Sequence, residues 1–221
     1  MEASRVFQLG SDLPSLYLHE WTRSSFTFHL YDLSSLLVLQ CDIAKWALHP
    51  RLKLMRVLAL EGCTFREGCH SLEHIGNLLH LRYLGIQSFW FKDLTDGIGA
   101  LKFLQTLNLE STGILELSCS VGRLTQLVCL RAQQISASDG VIGRLTSLEE
   151  LQISGHHNND ESQKKFVKDL GNLCELGVLK INNRRNMDEC MQIGLVQSLS
   201  NLKKMQHLTL GHSISTVNMN A

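Results

Sequence analysis

Two short clusters hold the side chains that could bind a metal ion. Cys69, His70 and His74 lie close together, and the run from His156 to Glu161 contains two adjacent histidines and two carboxylates. Imidazole, thiolate and carboxylate groups are the usual ligands of Zn²⁺. The first cluster, HSLEH, lacks the glutamate placement of the HExxH motif and has no third ligand at a defined spacing. We therefore expect no metal site, a turn and short helix at the first cluster, and a polar surface loop over residues 155–161.

Thiol chemistry is the other possibility that the residue types raise. The seven cysteines, at positions 41, 63, 69, 119, 129, 174 and 190, are odd in number and form no CxxC pair. This pattern argues against both a disulfide framework and a zinc knuckle. Cys129 could imitate a thiol nucleophile, but it lies between Leu127 and Leu130 and no base is identified by its spacing. The sequence predicts no catalytic residue and no enzymatic activity.

The elements that position these residues follow from one repeated pattern, apolar-x-x-apolar-x-x-Leu-x-apolar, which occurs seven times. Its first positions are residues 52, 78, 101, 124, 145, 173 and 202, so successive starts lie 21 to 29 residues apart. Leucine-rich repeats have periods of roughly 20–29 residues. The Leu-x-apolar pairs are Leu58 and Leu60, Leu84 and Ile86, Leu107 and Leu109, Leu130 and Ala132, Leu151 and Ile153, Leu179 and Ile181, and Leu208 and Leu210.

Each repeat is expected to supply one short strand whose Leu-x-apolar pair points inward, because side chains alternate between the two faces of a strand. Stacking the repeats buries these pairs under a parallel sheet. The predicted fold class is α/β, a leucine-rich-repeat solenoid with a curved parallel sheet on its concave side and an irregular or short-helical convex side. An aliphatic residue followed by glycine precedes five repeats and predicts a tight turn or close backbone approach: Ile75-Gly76, Ile98-Gly99, Val121-Gly122, Ile142-Gly143 and Leu170-Gly171.

The pattern divides the chain into three parts. Residues 1–51 form an irregular N-terminal part with one degenerate repeat, residues 52–213 form the seven repeats, and residues 214–221 form a polar tail. The degenerate repeat is assigned to Leu33, Leu36, Leu39 and Cys41, with a possible strand before it from Leu13 to Leu18. The two longest repeats leave room for helices, in which apolar groups recur every four residues. These groups are Phe166 and Leu170 in the first helix, and Met191, Leu195 and Leu199 in the second.

Composition and charge indicate which environments are expected. The 21 basic and 21 acidic residues balance, so the chain has no electrostatic attraction toward nucleic acid or an anionic membrane. No stretch approaches the roughly 18 apolar residues that a membrane span needs, and Met1 to Gly10 does not resemble a secretory signal. We therefore expect a cytoplasmic protein that does not span a membrane.

Three segments carry a family resemblance: LLHLRYLGI over residues 78–86, MRVLALEGC over 55–63 and LQTLNLEST over 104–112. They resemble the repeats of plant nucleotide-binding leucine-rich-repeat disease-resistance proteins, and most closely the coiled-coil class of cereal grasses. The resemblance covers roughly Leu33 to Leu210. Two features depart from the family: the proline that often precedes the aliphatic-glycine pair is missing, and no GxxxxGK[ST] phosphate-binding motif is present. The chain is therefore expected to be a fragment, a truncated product or one domain of a longer receptor, with ADP or ATP bound only in the missing nucleotide-binding module.

The resemblance implies a protein-recognition module of an intracellular plant immune receptor. Its partners would be the adjoining nucleotide-binding module, which it keeps inactive, and a pathogen effector or a guarded host protein. One alternative is a substrate adaptor of an F-box ubiquitin ligase, which would carry F-box helices ahead of the repeats. Another is a free-standing leucine-rich-repeat scaffold, which would have more uniform repeats than the 21 to 29 residues found here.

The candidate binding residues are those that flank the buried pairs and so point outward on the concave sheet. Tyr83 and Arg131 are the strongest candidates, since aromatic and arginine side chains dominate binding hot spots. The full predicted set is Tyr83, Gln87, Asn108, Glu110, Arg131, Gln133, Glu150, Gln152, Lys180, Asn182, His207 and Thr209.

Overall fold

A computed structural model describes most of the repeat region and short parts of both ends. The described residues are 15–19, 35–39, 54–61, 75–89, 91–133, 136–137, 140–154, 160–182, 189–210 and 216–218. The seven predicted strands are β3 (Val57–Glu61), β4 (Tyr83–Gln87), β5 (Thr106–Leu109), β7 (Cys129–Gln133), β9 (Glu150–Ser154), β10 (Val178–Asn182) and β11 (His207–Leu210). The other strands are β1 (Ser15–His19), β2 (Ser35–Leu39), β6 (Glu116–Leu117), β8 (Ser136–Ala137) and β12 (Thr216–Asn218), and the α-helices are α1 (Asp160–Leu170) and α2 (Glu189–Leu199).

Ten of these strands form one sheet in the order β1-β2-β3-β4-β5-β7-β9-β10-β11-β12. Every neighbouring pair is parallel except the last, in which β12 runs antiparallel to β11. Strands β6 and β8 form a separate parallel pair outside this sheet. Each strand of the large sheet lies next to the strand of the following repeat, which is the stacking predicted for a leucine-rich-repeat solenoid.

The strand register confirms the predicted pattern across all seven repeats. Leu58, Leu84, Leu107, Leu130, Leu151, Leu179 and Leu208 lie side by side in one row across the sheet. All seven are buried, and together with the second residue of each pair they form one continuous core. The preceding Leu-x-x-Leu segment closes a single tight turn, because the amide of the second apolar residue donates to the carbonyl of the first. This bond is 2.9 Å long between Leu81 and Leu78 and 3.0 Å between Leu104 and Leu101.

The register of the N-terminal repeat was predicted wrongly. Leu36 and Val38 of β2 lie opposite Leu58 and Leu60 of β3, whereas the predicted pair was Leu39 and Cys41. The strand thus begins three residues earlier than the pattern at Leu33 suggested. The segment is rich in leucine, so the same apolar spacing can be matched in two registers, and pairing with β3 selects between them. A strand near the predicted Leu13 to Leu18 is present as β1.

The convex side differs between the short and the long repeats. In the described parts of the shorter repeats, the helical segments are 3-10 helices, at Ile75–Asn77, Asp96–Ala100, Cys119–Arg123 and Ile142–Arg144. The two longest contain α1 and α2, as the apolar spacing predicted, and Phe166, Leu170 and Leu195 of these helices are buried. Asp160 and Glu161 begin α1, so the predicted polar loop was extended two residues too far. The rest of that loop lies outside the described residues.

The aliphatic-glycine pairs mark places where neighbouring repeats approach each other closely. The aliphatic member of each of the five pairs is buried. A Cβ atom added at Gly76 would lie 2.8 Å from the carbonyl oxygen of Gly97, and one at Gly99 would lie 2.8 Å from that of Ser120. Both contacts are with the backbone of the next repeat, so the predicted close approach is confirmed at these two glycines. Glycine at these positions allows neighbouring repeats to pack closely, because a side chain would not fit between them.

Two further assignments concern the ends of strands. Thr112 is buried, and its hydroxyl donates a hydrogen bond of 2.8 Å to the carbonyl of Leu109, so it stabilises the turn after β5. Cys63 has the equivalent position in the sequence after β3 and lies outside the described residues. The polar tail predicted over residues 214–221 contains strand β12, which extends the sheet beyond the last repeat.

Candidate functional site

All the predicted binding residues that belong to strands lie on the sheet face opposite the leucine row, here called the concave face. One row across this face contains Tyr83, Thr106, Cys129, Glu150, Val178 and His207. The next row contains Gly85, Asn108, Arg131, Gln152, Lys180 and Thr209. Gln87, Gln133 and Asn182 end their strands, and Glu110 follows the end of β5. The solenoid therefore collects residues far apart in sequence onto one continuous surface.

The predicted binding residues are not all equally exposed to solvent. Gln133, Asn182 and His207 are exposed, whereas most of the others, including Tyr83 and Arg131, are half-buried. The prediction that Asn108 is an exposed surface residue is wrong, because Asn108 is only 7% exposed. Its side-chain oxygen accepts a hydrogen bond of 3.0 Å from the amide of Glu110. Asn108 thus holds the turn after β5 and offers little surface to a partner.

Side-chain pairs connect the centre of the concave face. A nitrogen of the Arg131 guanidinium lies 3.0 Å from a carboxylate oxygen of Glu150 on the neighbouring strand. The Gln152 side chain on β9 donates a hydrogen bond to Glu110, which follows β5. This contact spans β7, the strand between them. The Nε atom of Arg131 is buried and has no hydrogen-bond partner among the described residues. These contacts fix the positions of four predicted binding residues before any partner arrives.

The same surroundings determine the chemistry of Cys129. The pKa of its thiol is raised to about 11, mainly by burial and also by the negative charge of Glu150, while the Arg131 guanidinium partly opposes this rise. The thiolate is the reactive form of cysteine, and a raised pKa removes it at neutral pH. Cys129 is therefore a poor nucleophile, as its place in the strand pattern suggested.

Two small residues lie side by side on the concave face at β3 and β4. Ala59 and Gly85 are register neighbours on β3 and β4, and both are buried. The ring of Tyr83 lies over Gly85, since a Cβ atom added there would come within 2.9 Å of both the ring edge and the phenolic oxygen. Glycine at this position is what allows the ring to lie down on the sheet. The concave face thus has small and aromatic residues at its centre on β3 and β4, and a group of charged residues, Glu110, Arg131, Glu150 and Lys180, lies from the end of β5 to β10.

Asn108→Ala is expected to lower the free energy of unfolding by about 1 kcal/mol, since it leaves the Glu110 amide without its acceptor. Gln133→Ala on the same face is the control, because an exposed side chain usually contributes within about 0.5 kcal/mol. Urea denaturation followed by circular dichroism measures both. Equal stability of the two variants would contradict the role assigned to Asn108.

The metal-binding clusters considered first fall mostly outside the part of the chain that the structure describes. Cys69, His70, His74, His156 and His157 lie outside the described residues. Within the described ranges, no three or more His, Cys, Asp or Glu side chains come together as metal ligands would. Within the same ranges, no helix has the length and apolar character needed to cross a bilayer.

Parallel strands in register, a buried leucine row and tight Leu-x-x-Leu turns define a leucine-rich-repeat protein. Residues 32–220 match the family model described as a leucine-rich repeat region. The chain belongs to this family.

The curated relatives come from Arabidopsis thaliana. Over 165 residues, 72% of this chain, it is 32% identical to putative disease resistance RPP13-like protein 2, and over 126 residues, 56% of this chain, it is 29% identical to putative disease resistance RPP13-like protein 3. The alignments cover only 18% and 15% of those two proteins. The resemblance to the leucine-rich-repeat region of plant disease-resistance proteins is therefore confirmed, and this chain corresponds to a small part of its relatives.

The solved structures support the fold. Internalin C2 from Listeria monocytogenes superposes with a TM-score of 0.58 at 17% sequence identity, covering 83% of this chain and 73% of that protein. At this identity the similarity concerns the arrangement of the repeats alone.

Proposed function

We propose that this chain is the protein-recognition module of a plant immune receptor that acts in the cytoplasm. Its concave face would bind a pathogen effector or a guarded host protein. It would also hold an adjoining, ADP-bound nucleotide-binding module inactive. Support comes from its similarity to disease-resistance proteins and from the polar surface that its strands assemble.

The observation that carries this proposal is the connected set of side chains at the centre of the concave face. Arg131 is paired with Glu150, and Gln152 with Glu110, so these four groups already have defined positions. Binding normally costs about 0.5–1.5 kcal/mol for each long side chain that must be immobilised. Residues fixed during folding avoid much of this cost, which favours recognition of a folded protein surface by this face.

Regulation in this proposal is a shift between two receptor populations. A ligand can move such an equilibrium only by the difference in its affinity for the two states. The effector or guarded protein would therefore have to prefer the state in which the contact with the nucleotide-binding module is broken. ADP or ATP would bind in that other module, and the role of this chain would be binding rather than catalysis. The protonated, half-buried thiol of Cys129 agrees with this assignment.

The double substitution Tyr83→Ala and Arg131→Ala is expected to weaken partner binding at least tenfold. The two residues lie on β4 and β7, with β5 between them, so they are about 10 Å apart and one partner can cover both. Anchors of this kind typically carry more than 1 kcal/mol each. A pull-down with the adjoining nucleotide-binding module and with a candidate effector measures the loss.

The matched control is Thr125→Ala with Thr146→Ala, which changes two exposed turn residues at equivalent positions of neighbouring repeats. It is expected to keep both partner binding and stability. Undiminished capture by the double variant of Tyr83 and Arg131 would contradict the assignment of the concave face and place recognition on another surface.

A further inference from the structure

A second surface lies along the edge of the sheet where β3, β4 and β5 begin. Here the residue just before each strand connects neighbouring repeats through its backbone. The amides of Arg82 and Tyr83 both donate to the carbonyl of Arg56, at 2.7 and 3.0 Å, and those of Gln105 and Thr106 both donate to the carbonyl of Arg82, at 2.8 and 2.9 Å. Arg56, Arg82 and Gln105 thus occupy one position in three successive repeats.

Large apolar side chains are exposed along the same edge. Leu54, Leu79 and Phe103 are 59%, 52% and 55% exposed, although the core beneath them is complete. The rings of His80 and Phe103 stack in parallel, with centroids 6.4 Å apart and an angle of 5° between the planes. We call the seven residues of this surface the entry edge: Leu54, Arg56, Leu79, His80, Arg82, Lys102 and Phe103, all of them exposed.

The fold does not require these residue types. The position of Phe103, directly before the second apolar residue of the repeat pattern, is occupied by Gln126 and Ser147 in the next two repeats. In the last two repeats it is occupied by Glu175 and Lys204, which form an ion pair with each other. Polar side chains at this position are therefore compatible with the stacking of the repeats. An exposed apolar cluster that packing does not need is typical of an interaction surface.

Charge indicates what this surface binds. Arg56, Arg82 and Lys102 are exposed cations, and none of them has an ion-pair partner among the described residues. The entry edge itself contains no carboxylate. Its complement is therefore a negatively charged group next to an apolar one.

We propose that the entry edge binds an acidic protein segment that carries an apolar anchor. The acidic groups would pair with Arg56, Arg82 and Lys102, and the anchor would cover Leu54, Leu79 and the ring of Phe103. A nucleic acid fits less well, because phosphates would leave the leucines uncovered, and its bases would have to share the Phe103 ring with His80, which stacks beside it. This surface lies beside the concave face, so the inference adds a second protein contact to the proposed function.

The test uses the whole chain and a short fluorescent peptide in which Glu alternates with Leu and Phe. Fluorescence anisotropy is expected to show binding at least about tenfold tighter than to a peptide with Ala in place of Leu and Phe, or with Lys in place of Glu. The double variant Phe103→Gln and Arg82→Gln is expected to lose about tenfold in affinity, as the loss of two anchors predicts. Gln already occupies both positions in neighbouring repeats, as Gln126 and Gln105, so the variant is expected to fold normally.

Gln126→Ala is the control at the equivalent position and is expected to bind the peptide like the original chain. The Tyr83→Ala and Arg131→Ala variant is expected to bind it equally well, which separates this surface from the concave face. Three results would overturn the proposal: no preference among the peptides, unchanged binding by the Phe103 and Arg82 variant, or tighter binding of oligothymidine or phosphatidylserine vesicles than of the acidic peptide.

Discussion

Leu107→Asp is expected to unfold the repeats around β5. Leu107 has no exposed surface and lies between Leu84 and Leu130 in the leucine row. The substitution removes a buried side chain that contributes about 1.5–3 kcal/mol. It also places an unpaired carboxylate where neither water nor a cation can reach it, which adds several kcal/mol. The sum is comparable with the roughly 5–15 kcal/mol that keeps a typical domain folded.

In a solenoid the damage is not confined to one repeat, because each unit is stabilised mainly by its two neighbours. Loss of β5 leaves β4 and β7 each without one partner strand. Circular dichroism is therefore expected to show reduced secondary structure and a much lower melting temperature. The control is Leu115→Asp in the same repeat, where the leucine is 63% exposed and the change is expected to stay within about 0.5 kcal/mol. Similar melting of the two variants would mean that the strand faces are inverted.

The fold of the repeats could be predicted from the sequence because one physical rule acts seven times. A Leu-x-apolar pair must be buried, and a strand offers only one face for it. The pairs from Leu58 to Leu210 therefore fixed both the strands and their register. The helices of the long repeats followed from apolar spacing at Phe166 and Leu170 in the same way.

The N-terminal repeat shows where this rule fails. The segment around Leu36 and Val38 is so rich in leucine that the pattern can be matched at two positions three residues apart. Local spacing cannot choose between them. Pairing with Leu58 and Leu60 of β3 selects one of the two registers, because this pairing is a contact between repeats.

The candidate site was predictable in outline but not in detail. Alternation along the strands placed Tyr83, Arg131 and Gln152 on the correct face. It could not show that Gln152 reaches Glu110 two strands away, since this depends on side-chain length and direction. Nor could it show that Asn108 is buried by a turn it helps to hold. The entry edge could have been found by aligning the repeats, because Leu54, His80 and Phe103 share one position in the pattern.

Gly99→Ala is expected to lower the free energy of unfolding by about 1–3 kcal/mol, the usual cost of overpacking. The added Cβ would lie 2.8 Å from the Ser120 carbonyl oxygen and 3.1 Å from the Ser120 Cβ. The carbonyl belongs to the backbone of the 3-10 helix Cys119–Arg123, so it cannot turn aside as a flexible side chain could. Relief requires the two repeats to move apart, and this movement would loosen the buried core to which Ile98 and Val121 belong.

Gly194→Ala separates this effect from the general consequences of replacing glycine. Gly194 lies within α2, and a Cβ added there would meet only a Val167 methyl group at an ordinary 3.4 Å. Because alanine favours a helix over glycine by about 0.5–1 kcal/mol, this variant is expected to be as stable as the original chain or more so. Thermal melting of both variants measures the contrast. A stable Gly99→Ala variant would show that the aliphatic-glycine pairs do not set the spacing between repeats, and that the leucine row alone determines it.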